Sequence, residues 1–146
     1  MGVIPLIALF SVKHLLGDKF FQSPLLSSNK RRSGWPGIRS LFLHSFLHGL
    51  WTGYLLGWYF FAGFNEVGRW RPALIFGLLD LSSHFTIDYF KVKIEKYLGK
   101  VKTRVQRPTV FESLALGLDG RKLVIADQLF HAGCYLLMIY AILRIH

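Results

Sequence analysis

Residues Leu41–Phe64 read LFLHSFLHGLWTGYLLGWYFFAGF. The stretch carries no Asp, Glu, Lys or Arg, and its imidazoles are His44 and His48. A helix needs about 20 mostly apolar residues to cross the hydrocarbon core of a bilayer, and this one has them. A soluble surface helix shows one apolar stripe and one polar face; a helix apolar all round is buried in protein or in lipid. Lipid is the better solvent here. The chain has only 146 residues, yet 52% are hydrophobic and 16% aromatic, against 18% charged. A domain of that size has too little interior to hide so much apolar surface.

Three further apolar blocks flank this stretch. One covers about 3–21 and contains Lys13, Asp18 and Lys19. Another covers about 72–92, with Asp80, His84 and Asp88, and Pro72 in a position suited to a first helical turn. The last covers about 123–145, with Asp127 and His131. The expected fold is all-α: a polytopic membrane protein built as an antiparallel four-helix transmembrane bundle, one membrane domain over 1–146. The N-terminus lacks a basic segment and a cleavage site, so it reads as the start of the first helix.

The net charge of +10 is concentrated between the blocks. Residues 22–40 hold Lys30, Arg31, Arg32 and Arg39, and residues 93–122 hold Lys93, Lys96, Lys100, Lys102, Arg104, Arg107, Arg121 and Lys122. Basic loops stay in the cytoplasm. The sequence therefore predicts a multi-pass protein of the cell inner (cytoplasmic) membrane with both termini outside. Such loops favour anionic lipid over nucleic acid as a partner. Thr109–Leu118 is apolar enough for a short helix on the membrane surface. A single cysteine, Cys134, excludes a disulfide framework and a thiolate metal cluster. Gly49, Gly53 and Gly57 recur every four residues and mark a close-packing face, within the bundle or between protomers of a homodimer.

Each block holds two metal-capable residues four apart: His14 and Asp18, His44 and His48, His84 and Asp88, Asp127 and His131. Positions i and i+4 share a helix face. In the predicted topology the first and third pairs lie near cytoplasmic C-terminal ends, and the second and fourth near cytoplasmic N-terminal ends. All four pairs thus fall at one depth. An intramembrane Asp costs roughly 2.5–3.5 kcal/mol on insertion scales, so this cluster calls for a compensating cation. Imidazoles with carboxylates suit a divalent metal, zinc foremost, with manganese or iron also compatible. Eight candidate ligands exceed the four of one zinc and point to one or two ions, or to a ligand set with supporting partners. Asp80 extends the third stripe as a hydrogen-bonding partner of a ligating histidine. Asp18, Asp88 and Asp127 are the candidate acid–base groups. Lys91 either snorkels to the interface or holds a substrate phosphate. A proton or ion path, haem ligation and plain helix packing are the competing readings. Haem has no use for an Asp one turn from its His on three helices.

Four motifs in register, His14-Leu-Leu-Gly-Asp18-Lys-Phe-Phe-Gln22, His44-Ser-Phe-Leu-His48, His84-Phe-Thr-Ile-Asp88-Tyr-Phe-Lys91 and Asp127-Gln128-Leu-Phe-His131, resemble those of a family of small bacterial and phage membrane proteins numbered 3307 among domains of unknown function. The resemblance spans nearly the whole chain and adds Gln22 and Gln128 to the site as supporting residues. A looser similarity to membrane-bound metal-dependent hydrolases implies a hydrolase. The expected activity is cleavage of a phosphoester or acyl bond in an anionic lipid or lipid-linked substrate at the cytoplasmic face. The alternatives are a metal-ion or proton transporter, and an interaction protein whose metal is structural.

Overall fold

The structure, a computed structural model, describes residues 3–18, 29–64, 70–104 and 120–145. It is all-α among those residues, with four helices: α1 (Val3–Leu16), α2 (Trp35–Phe64), α3 (Trp70–Arg104) and α4 (Gly120–Ile145). Gln22 and the Thr109–Leu118 segment lie outside the described residues.

The helices exist where the apolar blocks predict them, but two run farther. α2 starts at Trp35, inside the stretch expected as loop, because Gly34 supplies a left-handed residue (φ 78°) just before it and Pro36 fits a first turn, where no intrahelical N–H is needed. α3 continues to Arg104, twelve residues past the expected end at 92. Lys and Glu are good helix formers, so the helix outlasts its apolar part, and much of the predicted basic loop is helical. α1 ends in a widened π turn at Gly17–Asp18.

Neighbouring helices run antiparallel, as the order of their contacts shows. Along α2 and α3, Gly49 lies against Gly77 and Leu81, Gly53 near Ala73, and Gly57 under the Trp70 ring. Along α1 and α4, His14 bonds Gln128 while Phe10 stacks on Tyr135. α2 and α3 form the most extensive pairing. A β-carbon on Gly49 would stand 2.5 Å from the Gly77 carbonyl oxygen, and one on Gly77 2.8 Å from that of Gly49. The glycine repeat is therefore a packing face within the molecule.

One end of the interior is apolar: Leu6, Phe10, Leu56, Phe60, Phe76 and Ile142 form its cluster with their neighbours. The other end buries polar groups, including His44, His48, Asp80, His84, Asp88, Asp127 and His131. The outside carries large apolar side chains: Leu50, Trp58, Leu78, Leu129 and Leu137 are each more than half exposed. One segment among the described residues, Lys122–Arg144, is long and apolar enough to cross a membrane, with a mean hydropathy of 1.4. It is the fourth block, not the second, that meets this measure. The tryptophans, tyrosines, glycines and histidines of α2 lower its hydropathy although its 41–64 part carries no charge.

Candidate metal centre

The four histidine-bearing motifs meet. The His48 and His84 rings stack with centroids 3.8 Å apart; His44 lies 4.6 Å from His48, and His131 lies 4.2 Å from His84. His14 comes within 5.1 Å of His131 and 5.8 Å of His48. Residues from α2, α3 and α4 and the end of α1 thus share one level of the molecule, the common depth expected from the sequence.

Two groups have the donor types and spacing for a cation. Asp18, His44, His48 and His84 each offer a ligand atom, all within 4.8 Å of one another; His84, Asp88 and His131 do the same. The Asp18 Oδ1 lies 3.6 Å from His44 Nε2 and 3.5 Å from His48 Nε2. Asp88 Oδ2 lies 3.8 Å from His44 Nε2. His84, shared by both groups, sits at their junction.

The hydrogen-bond pattern tests the fit. His44 Nδ1, both ring nitrogens of His48, His84 Nδ1 and His131 Nε2 are buried and have no hydrogen-bond partner. Buried polar atoms without partners are rare in proteins because each loses its water without recompense. These nitrogens belong to four rings of one cluster, and an open nitrogen on each ring suits ligation. His131 makes the point most simply. Its Nδ1 donates to the Asp127 backbone carbonyl at 2.9 Å, which fixes the proton there and leaves the Nε2 lone pair for a ligand.

His14 differs. Its Nε2 contacts Gln128 Oε1 at 3.1 Å and its Nδ1 contacts the Tyr135 hydroxyl at 3.2 Å. Lys13, which can only donate, bonds that hydroxyl at 3.0 Å. Gln128 Oε1 can only accept, so His14 carries a proton on Nε2, which leaves Nδ1 facing the Tyr135 hydroxyl as its acceptor. Both nitrogens are occupied, and His14 belongs to neither cation group. The sequence places it among the metal candidates; in the structure it stands 3.5 Å from Asp18, itself a member of the first group. Gln128, which the family motif adds to the site, contacts His14 and not a member of either cation group.

Other expected members take different partners. Asp80 bonds no histidine. It pairs with the Lys13 ammonium and accepts from Thr52 at 2.6 Å, one layer below the imidazoles. Asp127 is held by Lys91 at 2.6 Å and lies outside both cation groups, although its Oδ1 is buried without a partner. Lys91 is thus engaged with a carboxylate and is no open phosphate holder. Lys30, expected only as a loop charge, reaches in to Asp88 at 2.8 Å. Burial holds its ammonium below the ordinary value while Asp88 opposes the shift.

Sequence reasoning missed Lys13, Lys30, Tyr135 and Gly17. A charge inside an apolar block was the available signal for Lys13. Gly17 had one in its motif: a β-carbon there would lie 2.5 Å from His48 Cε1, so only glycine lets that ring lie against α1.

Two cavities reach this region from the side. One of about 590 Å³ between α1 and α4 has apolar walls and touches His14 and Gln128. The other, about 410 Å³, lies between α3 and α4 and touches Lys91 and Asp127.

No curated protein and no solved structure matches the chain. The family described as "Protein of unknown function (DUF3307)" matches residues 6–145. With nearly its full length matched, the four motifs included, the chain belongs to the DUF3307 family.

Proposed function

We propose that this protein is a membrane-embedded, metal-dependent hydrolase acting on a phosphoester or acyl bond of a lipid or lipid-linked substrate at the cytoplasmic face. The carrying observation is the buried convergence of imidazoles and carboxylates whose ring nitrogens lack hydrogen-bond partners. The inside-out distribution of polarity supports four membrane spans around it, with apolar residues facing out on all four helices.

Asp18, His44, His48 and His84 would hold one divalent cation, zinc foremost; His84, Asp88 and His131 offer donors for a second. A bound cation supplies Lewis acidity toward a phosphoryl or acyl oxygen and makes its water acidic. Asp127 is the carboxylate left for proton transfer. Lys91 holds its Oδ2, while Oδ1 is buried without a partner and is the atom left to accept a proton. His14, with its Nε2 proton turned toward Gln128, orients the substrate end that enters from the α1–α4 cavity. Those apolar walls suit an acyl or prenyl chain.

A hydrolase fits better than a transporter. Beneath the imidazoles the polar path stops at the Lys13–Asp80 pair, and an apolar cluster fills the interior beyond it. A transit route would need polar groups there.

Elemental analysis of detergent-purified protein, followed by a screen for phosphate or fatty-acid release from lipid substrates, tests the proposal. One or two equivalents of metal are expected, with turnover that chelation and His84→Ala abolish. Metal-free protein, or turnover unchanged in His84→Ala, would overturn it.

A further inference from the structure

The extended parts of α2 and α3 enclose a feature that the hydrolase reading does not use. Tyr89, Lys93, Lys96 and Tyr97 follow one another at spacings of four, three and one to share a face of α3. The turn before α2 stands opposite, closed by the bond from Arg32 N to Asn29 O at 2.9 Å. Lys96 ties the two together by donating to the Arg32 carbonyl at 3.1 Å, and Arg31 pairs with Glu95 at 3.2 Å. A cavity of about 370 Å³ lies between them. Its walls include Lys30, Arg32, Lys93 and Lys96, with Ser33 and the tyrosines, and no acidic residue.

We infer that this cavity binds a phosphate group, presented as a phosphomonoester or as the headgroup of an anionic phospholipid. Four cationic side chains beside a serine exceed what Asp88, the carboxylate bonded to Lys30, can accept. They match the several oxygens and the charge of a phosphate. Gly34, which also lines the cavity, immediately precedes α2, whose N-terminal N–H groups add positive potential on the same side. Lys30 gives the cavity its link to the metal centre. It lines the cavity and bonds Asp88, and Asp88 belongs to the second cation group. Cavity and centre share that wall. The inference rests on the hydrolase reading only for the ligand's role as substrate; binding is measured without turnover.

The test is binding to the full chain in nanodiscs. The probes are inorganic phosphate, glycerol 3-phosphate, and phosphatidic acid incorporated into phosphatidylcholine nanodiscs. Arg32→Gln and Lys96→Gln are compared with Arg144→Gln, which removes the same charge from the far end of α4. Saturable binding is expected, weakened about tenfold or more in Arg32→Gln and Lys96→Gln and unchanged in Arg144→Gln. Binding of phosphatidic acid alone assigns the lipid headgroup; binding of glycerol 3-phosphate or phosphate as well assigns a soluble phosphate. No saturable binding of any probe overturns the inference, as does equal weakening by all three substitutions, which would reflect net charge alone. Lys93→Gln, with helix content checked by circular dichroism, repeats the comparison should Lys96→Gln fail to fold. Binding without hydrolysis of any lipid leaves the cavity standing and counts against the hydrolase; hydrolysis indifferent to these substitutions does the reverse.

Discussion

A histidine's part in a metal site depends on what its second nitrogen does. His131 commits Nδ1 to a backbone carbonyl and keeps Nε2 open; His14 commits both, to Tyr135 and Gln128. The expected outcomes separate accordingly. His84→Ala removes the donor common to both groups and should abolish stoichiometric metal. His14→Gln should keep the stoichiometry and weaken affinity by about ten- to a hundredfold, the range for partners that only orient ligands. Metal titration of the two variants checks this, and loss of stoichiometry in His14→Gln would return that residue to the ligand set. Gly17→Ala is a second test at this scale. Its methyl would meet the His48 ring at 2.5 Å, and that ring is already stacked on His84. Metal affinity should fall about tenfold or more with helix content unchanged by circular dichroism; unaltered affinity would mean that His48 has room to move aside.

Among the elements, the α2–α3 pairing fixes where His44 and His48 stand relative to His84 and Asp88. Its closeness depends on glycines, but not equally. Gly49→Ala sets a methyl 2.5 Å from the Gly77 carbonyl, part of a backbone that cannot swing away, whereas at Gly53 the nearest atom is 3.6 Å off, an ordinary contact. Gly49→Ala should cost about 1–3 kcal/mol and Gly53→Ala less than about 0.5 kcal/mol. Denaturation of both variants in detergent checks the order; equal effects would show that the helices slide apart freely. The four-residue glycine period was legible in the sequence, as were the helices and their i, i+4 pairs, because each follows from local spacing. Which helix meets the glycines was not, since it depends on Gly77 and Trp70 in another block. The same limit hid the site's cations. Lys13 finds Asp80 across 67 residues and Lys30 finds Asp88 across 58, and no local pattern marks such pairs. Helix ends were misread for another reason: hydropathy tracks the apolar stretch, while α3 is continued by Lys and Glu beyond it.

At the scale of the molecule, the question is how many helices cross the bilayer. Hydropathy alone selects Lys122–Arg144, because it counts every Asp, Lys and His against a helix wherever that side chain points. In α3 the costly residues point inward: Asp80, His84 and Asp88 are buried, while Leu74, Ile75, Leu78 and Leu79 are exposed. Membrane proteins tolerate ionisable residues in just this arrangement, inside the bundle and paired. The Lys13–Asp80 pair makes the same case for α1, since each charge finds its partner within the protein. If all four helices span, alkaline phosphatase fused after Phe64 or after Ile145 is exported and active, and fused after Arg104 it stays in the cytoplasm and is inactive. A chain crossing only through α4 would keep the Phe64 and Arg104 fusions on one side, with matching activities. The pattern active, inactive, active along the chain is the expected one. It would place the basic ends of α2 and α3, the phosphate cavity and the imidazole cluster together at the cytoplasmic surface, where an anionic lipid meets both.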